Sequence, residues 1–301
     1  MLIDKTSPPI IQIFVGFLVL SAIFILAHDV SSAYKIPLLV IFIALVGMPH
    51  GALDVMMIAR LVRLSETKKD SVLNINFSNR FRLCGFYLLY TSVAGFAFGF
   101  WLLFPSAALI LFLLMAVAHF RHDWQGFGGG LMQMSLSALV VTGPACFHAD
   151  AIAGYFRALF LSDEAISIII ISMQSVALSA VLLALYAPKN LSFSRLLTFT
   201  IVLISAYSLD PLLFFIAYFC SLHSLLHTLS IKNEFDLSWE KLMYWVVPPM
   251  MFTLLLMGLA YVLVPFQSVD AQWLRIIFIG LFALTVPHMS LTLYFQRVIR
   301  R

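Results

Sequence analysis

The sequence predicts an all-α, polytopic integral membrane helix bundle, and three observations support this prediction. First, 62% of the 301 residues are hydrophobic and only 11% are charged, whereas a soluble domain has about 45–50% apolar and 25% charged residues. Second, long apolar runs follow one another along the chain. Third, the few basic residues are distributed unevenly among the segments that join those runs. This composition excludes a soluble globular protein, a disordered chain and a nucleic-acid-binding protein.

Each apolar run is a candidate transmembrane helix, because a helix needs about 20 apolar residues to cross the hydrocarbon core. The runs are 10–27, 36–60, 83–104, 106–121, 131–149, 164–187, 195–209, 211–231, 242–264 and 273–297. The run 131–149 is interrupted by Gly143-Pro144 and is therefore a candidate bent or re-entrant segment. We expect about ten transmembrane helices, or eight with a re-entrant pair, in a single transmembrane domain that covers residues 1–301.

The basic residues orient these spans, because Lys and Arg accumulate in the cytoplasmic loops of membrane proteins. With ten spans and a cytoplasmic N-terminus, 15 of the 18 basic residues fall on the cytoplasmic side. Only Lys35, Arg157 and Arg275 fall on the outer side. The sequence therefore predicts a multi-pass protein of the inner cell membrane with both termini in the cytoplasm.

Ionisable side chains inside apolar runs are costly in lipid, so they mark candidate functional sites. Two of the eight histidines, His28 and His148, fall at the predicted outer ends of spans. The other six fall on four helices between the bilayer middle and the cytoplasmic face: His50, His119, His122, His223, His227 and His288. This shared depth predicts one metal site in the cytoplasmic half of the bundle.

The pair His223 and His227 has a spacing that suits metal binding. Residues four apart share one face of a helix, with Cβ atoms about 5–6 Å apart, so two neutral imidazoles can bind one ion. The same spacing also suits two histidines that hydrogen-bond to neighbouring helices. The other histidines at the same depth favour the metal interpretation.

Two carboxylates accompany the histidines. Asp54 follows His50 by four residues and is the only acidic residue deep inside an apolar run, and Asp123 follows His119 by four. A metal-bound histidine commonly donates its second ring N–H to a carboxylate. Asp54 and Asp123 are therefore candidates for that role, either for these histidines or for neighbouring ones.

The remaining two histidines of the six are expected to play lesser roles. His288 follows Pro287 in a predicted helix kink and is a candidate fifth ligand, although we expect it to support a ligand rather than to bind metal itself. We expect His122 to face the membrane interface beside Arg121.

The donor atoms favour a transition metal. The three cysteines, Cys84, Cys146 and Cys220, are scattered and contain no C-x-x-C pair, which argues against a thiolate site. Imidazole suits Zn, Cu, Fe and Ni. Four imidazoles would complete a tetrahedral zinc site, whereas on a six-coordinate iron they would leave two positions for dioxygen or substrate.

Four motifs resemble those of a known family. The segment 47–54, GMPHGALD, resembles the G-x-P-H-G-x-x-D segment of the Brp/Blh family of membrane β-carotene 15,15′-dioxygenases. His119-Phe120 resembles its H-F-G motif, the histidine pair 223 and 227 resembles its late pair, and 287–289 resembles its P-H-M. The order and spacing agree over nearly the whole chain. One departure is that Arg121 replaces the glycine of H-F-G, with the following acid one residue early at Asp123.

The resemblance implies a non-haem Fe(II) enzyme that cleaves the central 15,15′ double bond of β-carotene with O2. The products would be two molecules of retinal, with rhodopsin as the downstream acceptor. By matching motifs, the implied iron ligands are His50, His119, His223 and His227. The implied supporting residues are Asp54, Asp123 and His288.

Two other classes of protein also place histidines inside a membrane. A di-iron desaturase or hydroxylase uses histidine clusters near the cytoplasmic face, but it needs more ligands than these six, and the H-x-x-H-H motif is absent from the sequence. A transporter would use the histidines and Asp54 as an ion path, and a haem carrier would use two histidines as axial ligands. Measuring the iron content would separate these alternatives: we expect one iron per chain for the dioxygenase, two for the di-iron enzyme and none for a transporter.

Overall fold

The structure is a computed structural model that describes residues 34–64, 77–125, 129–186, 193–263 and 268–299. Within these ranges every regular element is a helix. The predicted all-α membrane bundle is therefore confirmed. The predicted first span, 10–27, lies outside the described residues.

The described part of the chain forms thirteen α-helices, numbered here in chain order. They are α1 Lys35–Phe42, α2 Met48–Ala52, α3 Asp54–Leu64, α4 Phe77–Leu103, α5 Pro105–Phe120, α6 Gly130–Thr142, α7 Ala149–Ala158, α8 Asp163–Tyr186, α9 Phe193–Ser208, α10 Pro211–Tyr218, α11 Leu225–Glu234, α12 Trp239–Leu263 and α13 Val269–Ile299. Two π-helical turns, Ile43–Gly47 and Phe219–Ser224, join α1 to α2 and α10 to α11. Two 3₁₀ turns, Arg121–Trp124 and Gly143–Cys146, follow α5 and α6.

Seven stretches of the described residues are long and apolar enough to cross a membrane. They are Lys35–Val62, Phe81–Leu103, Pro105–Trp124, Asp163–Tyr186, Pro211–Glu234, Trp239–Leu263 and Val269–Val298. Each coincides with one of the predicted runs. The run 195–209 corresponds to a shorter apolar helix, Phe199–Ser208.

The run 131–149 is a bent element, as its Gly143-Pro144 pair predicts. The helical stretch that ends at Cys146 and the helix α7 meet at an angle of 97°. Pro144 has no amide hydrogen to continue the helical hydrogen bonds. Gln174 on α8 donates to the carbonyl of Ala145 at 3.0 Å and so satisfies one acceptor at the bend. If this pair counts as one span, the described residues contain up to eight.

The interior of the bundle is centred on the span Pro211–Glu234. In the most apolar stretch of this span 67% of the residues are buried, against 11% for Phe81–Leu103 and 6% for Trp239–Leu263. The two poorly buried helices expose apolar side chains along most of their length, as lipid-facing helices do. Histidines 223 and 227 therefore lie on the most central helix of the described bundle.

Asp210 fixes the start of that central span. Its carboxylate accepts hydrogen bonds from Lys35 Nζ at 2.7 Å and from Tyr155 Oη at 3.0 Å. It also caps α10 by accepting from the amide of Leu212 at 3.0 Å, which satisfies one of the free amides at a helix start. Three elements, α1, α7 and α10, are thereby tied together.

Candidate metal centre

Five histidines from four spans meet inside the bundle. They are His50 on α2, His119 on α5, His223 in the second π-turn, His227 on α11 and His288 on α13, and we call them the histidine cluster. Between the rings that contact one another, the centroid separations run from 4.6 Å for His119 and His223 to 6.5 Å for His223 and His227. The sequence places these five at one depth, and the structure brings them into one group.

The two π-turns position two members of this cluster. The first, Ile43–Gly47, directly precedes α2, and the second contains His223. π-turns inside α-helices occur frequently at functional sites. Phe219, which begins the second turn, packs against Gly47 so closely that a Cβ there would lie 2.8 Å from its ring. Gly47 therefore allows the two π-turns to approach each other.

His50 is held by its own helix. Its Nδ1 lies 2.5 Å from the carbonyl oxygen of Gly47 and 3.2 Å from Ser224 Oγ. A ring nitrogen that donates to a carbonyl is the protonated one, so Nε2 is the nitrogen of His50 that has a lone pair to offer.

Asp123, Tyr218 and His223 form one hydrogen-bonded chain, which we call the Asp123 arm. Asp123 Oδ2 accepts from Tyr218 Oη and from His223 Nδ1, each at 2.9 Å. Asp123 follows His119 by four residues, but its histidine partner is on the central span instead. The arm fixes the tautomer of His223, because Nδ1 carries the donated proton.

Asp54, Tyr90 and His288 form a second such chain, the Asp54 arm. Tyr90 Oη donates to Asp54 Oδ2 at 2.7 Å, and His288 Nδ1 lies 2.8 Å from Oδ1 and 3.0 Å from Oδ2. The sequence left open whether Asp54 serves His50 or a neighbouring histidine. The structure pairs it with His288 on α13.

In three histidines the Nε2 atom has no protein partner among the described residues. The Nε2 atoms of His119, His223 and His288 are buried and make no hydrogen bond. An unsatisfied buried polar atom costs about 1–3 kcal/mol, so three of them on adjacent rings need an explanation. Neutral imidazole nitrogens of this kind are the usual ligands of Zn, Cu, Fe and Ni.

The spacing of the rings fits a shared ion. Two imidazoles that bind one ion through nitrogens at about 2.1 Å hold their ring centroids roughly 4.5–6.5 Å apart, depending on the angle between the two bonds. The observed separations, 4.6–6.5 Å, fall in that interval. As the side chains lie, no group of three or more His, Cys, Asp or Glu residues in the described part of the chain could hold a metal ion. The contacting rings are thus close enough to share an ion, but ligation by three of them would need a different arrangement of the side chains.

The residue His122 lies apart from the cluster, as the sequence predicts. It is exposed, and its Nδ1 is 3.0 Å from Gln125 Nε2. Arg121, which replaces a glycine of the resembled motif, is also exposed, and its guanidinium lies against Gly130. The arginine at this position therefore does not disturb the hydrogen bonds of Asp123 to Tyr218 and His223.

Sequence reasoning missed the two tyrosines of the arms, Tyr90 and Tyr218, and the residues Ser224 and Gly47 that contact His50. Tyrosines are common at membrane interfaces, so nothing in the pattern distinguishes these two. The π-turns were missed as well. Pro49, just after the first turn, is the one local signal, because a proline releases a helix carbonyl.

The fold and the site together define a class: polytopic helical membrane proteins with a buried cluster of histidines supported by carboxylates. A family model described as beta-carotene 15,15′-dioxygenase matches residues 41–296, and the chain belongs to this family. The beta-carotene 15,15′-dioxygenase of an uncultured marine bacterium, 66A03, is 25% identical over 269 residues, which is 84% of this chain and 90% of the relative. No solved structure matches the chain.

Family membership confirms the predicted enzyme class, a membrane dioxygenase that cleaves a carotenoid to retinal. The desaturase, transporter and haem-carrier alternatives are thereby set aside. The matched region contains all five members of the histidine cluster and both arms.

Proposed function

We propose that this chain is an iron-dependent β-carotene 15,15′-dioxygenase of the inner cell membrane that holds ferrous iron with His50, His119, His223 and His227. The observation that supports this proposal most strongly is that the buried Nε2 atoms of His119 and His223 have no hydrogen-bond partner among the described residues. Bound ferrous iron would supply the redox chemistry that O2 requires, which zinc does not.

The charges inside the bundle favour a divalent cation. Neutral imidazoles do not offset the charge of an ion, and an uncompensated charge in a low-dielectric interior is very costly. Asp54 and Asp123 each contact a cluster histidine through a hydrogen bond of 2.8–2.9 Å. Two carboxylates balance the two positive charges of Fe(II), so the whole assembly can remain in lipid.

The chain's own residues hold the ligands ready. Asp123 accepts a hydrogen bond from Nδ1 of His223, and the carbonyl of Gly47 accepts one from Nδ1 of His50. Each bond leaves Nε2 deprotonated, which is the state that binds metal. Because the rings pack against Phe219 and Phe120, at centroid distances of 4.7–5.6 Å from His223, bulk water is kept from the centre.

The reaction balances without any further reactant. One β-carotene and one O2 give two retinal molecules: the central carbon–carbon double bond and the oxygen–oxygen bond break, and two carbonyl groups form. No external reductant is consumed. A hydrocarbon of this size dissolves in the bilayer, so an enzyme buried among membrane helices meets it by lateral entry. We place the site toward the cytoplasmic half, with rhodopsin as the acceptor of the product.

The experiment that tests this proposal is a conversion assay with purified protein. Iron-loaded protein in detergent–lipid micelles should convert β-carotene to two equivalents of retinal per O2 consumed, measured by chromatography and an oxygen electrode. Removal of iron with a chelator should abolish conversion, and Fe(II), not Zn(II), should restore it. Full activity in protein shown to be free of iron would overturn the assignment of the metal.

A further inference from the structure

We propose that His288 is itself a metal ligand, a fifth imidazole of the centre, and that Tyr90 and Asp54 position it. This inference rests on the proposed metal centre and contradicts our expectation from the sequence that His288 only supports a ligand. The geometry on which it depends is a repetition of one arrangement at two places in the cluster.

The two arms are built alike. In each, a tyrosine hydroxyl donates to an aspartate, at 2.7 Å in the Asp54 arm and 2.9 Å in the Asp123 arm. In each, that aspartate is bonded to Nδ1 of a histidine, at 2.8 Å for His288 and 2.9 Å for His223. A carboxylate that fixes Nδ1 is the usual partner of a metal-bound histidine. If the Asp123 arm presents His223 to a metal, the same construction presents His288.

The position of His288 agrees with this role. Its ring centroid lies 5.3 Å from that of His119 and 5.4 Å from those of His50 and His227. It therefore neighbours three of the four ligands that motif matching implies. A residue that served only to hold Asp54 would not need to stand among them.

The second ring nitrogen of His288, Nε2, has no hydrogen-bond partner among the described residues. This nitrogen is buried, in a residue only 4% exposed. If His288 were only a donor to Asp54, a side chain that donates without accepting, such as the indole of tryptophan, would serve without leaving a buried acceptor unsatisfied. Ligation accounts for both nitrogens, with Nδ1 on Asp54 and Nε2 on the ion.

The substitution His288→Asn separates a ligand from a positioning residue. An asparagine amide reaches about as far as Nδ1 of histidine and can still donate to Asp54, but it has no atom at the place of Nε2. Cobalt(II) is the probe, because its visible absorption reports the number and type of its ligands. We expect His288→Asn to remain folded by circular dichroism and to bind Co(II) more than 100-fold more weakly, beyond the 10–100-fold typical for loss of an outer partner. Its spectrum should differ from wild type, and free imidazole should restore that spectrum in His288→Gly.

The controls decide which proposal fails. His122→Ala, at an exposed histidine, should bind Co(II) like wild type. X-ray absorption of Co(II)-loaded wild-type protein needs no variant and should count five imidazoles, whereas a count of four would overturn the inference. His288→Asn with wild-type affinity and spectrum would also overturn it, while leaving the four-histidine centre intact. A wild-type protein that binds neither Co(II) nor Fe(II) would overturn the proposed function and this inference together.

Discussion

The Asp54 arm and the Asp123 arm contain the same three kinds of residue but lie in different surroundings. The side chain of Asp54, at the start of α3, is 4% exposed and bonds to residues on α4 and α13. The side chain of Asp123 is 8% exposed and sits in a 3₁₀ turn at a helix end, beside the exposed Arg121 and His122. The carboxylate is thus the more buried of the pair in the Asp54 arm, whereas the tyrosine is the more buried in the Asp123 arm, since Tyr218 is 1% exposed and Tyr90 is partly exposed. The free-energy cost of damaging an arm should be larger where no water can replace the lost partner.

The largest effect should come from the histidines on the central span. His223→Ala and His227→Ala should each lose bound iron and retinal formation, because each removes a nitrogen that no neighbour can replace. Iron per chain, measured by plasma emission on folded protein, checks the first effect, and retinal yield checks the second. A variant that keeps one iron per chain would show that its histidine has a purely structural role.

A smaller effect is expected at the carboxylates. Asp54→Asn and Asp123→Asn keep an oxygen that can accept from histidine but remove the negative charge. Metal affinity should fall about 10–100-fold in each, with the greater loss for Asp54 because it is more deeply buried. Competition titration with a metal indicator measures both variants. At saturating iron the site should fill in both variants, but turnover should remain reduced. Equal metal affinities in the two variants would contradict the expected difference between the arms.

The tyrosines should matter less still. Tyr90→Phe removes one hydrogen bond to the Asp54 carboxylate, and bonds to charged groups contribute about 1.5–3 kcal/mol. Tyr218→Phe removes the matching bond to Asp123 from a side chain that is only 1% exposed, whereas Tyr90 is partly exposed. Because water can replace the lost partner less easily at Tyr218, thermal unfolding in detergent should show the lower melting temperature for Tyr218→Phe. The reverse order would contradict the difference in surroundings described above.

The smallest effect is expected at His122. Its side chain is exposed and bonded to Gln125 rather than to the cluster. His122→Ala should change iron content, retinal formation and melting temperature by less than the error of the measurements. Complete loss of iron in this variant would mean that His122, not His119, is the ligand from the span Pro105–Trp124.

Much of this architecture could be predicted from the sequence because lipid imposes simple rules. Apolar length marks a span, so seven of the predicted runs appear as full-length helices. Charges inside lipid are costly, so the sequence alone groups the histidines at 50, 119, 223, 227 and 288 by their shared depth in the apolar runs.

The partners of the carboxylates could not be predicted, for a physical reason. The i, i+4 rule places Asp54 on the same helix face as His50, but it does not say which side chain of another helix reaches that carboxylate. Asp54 instead contacts His288, 234 positions along the chain. Such a pairing depends on how whole helices pack, and local spacing carries no information about it.

The two π-turns have a consequence for insertions and deletions. A residue advances an α-helix by about 100° around its axis, and a π-turn accommodates one residue more than an α-turn. Deleting one residue from Ile43–Gly47 would therefore restore an ordinary α-turn and hardly change the length or the phase of the span, whereas deleting one residue from α1 would turn everything beyond it by about 100°. His50 would then face a different neighbour. In this protein the angular phase of two helices, more than their length, decides whether the imidazoles meet.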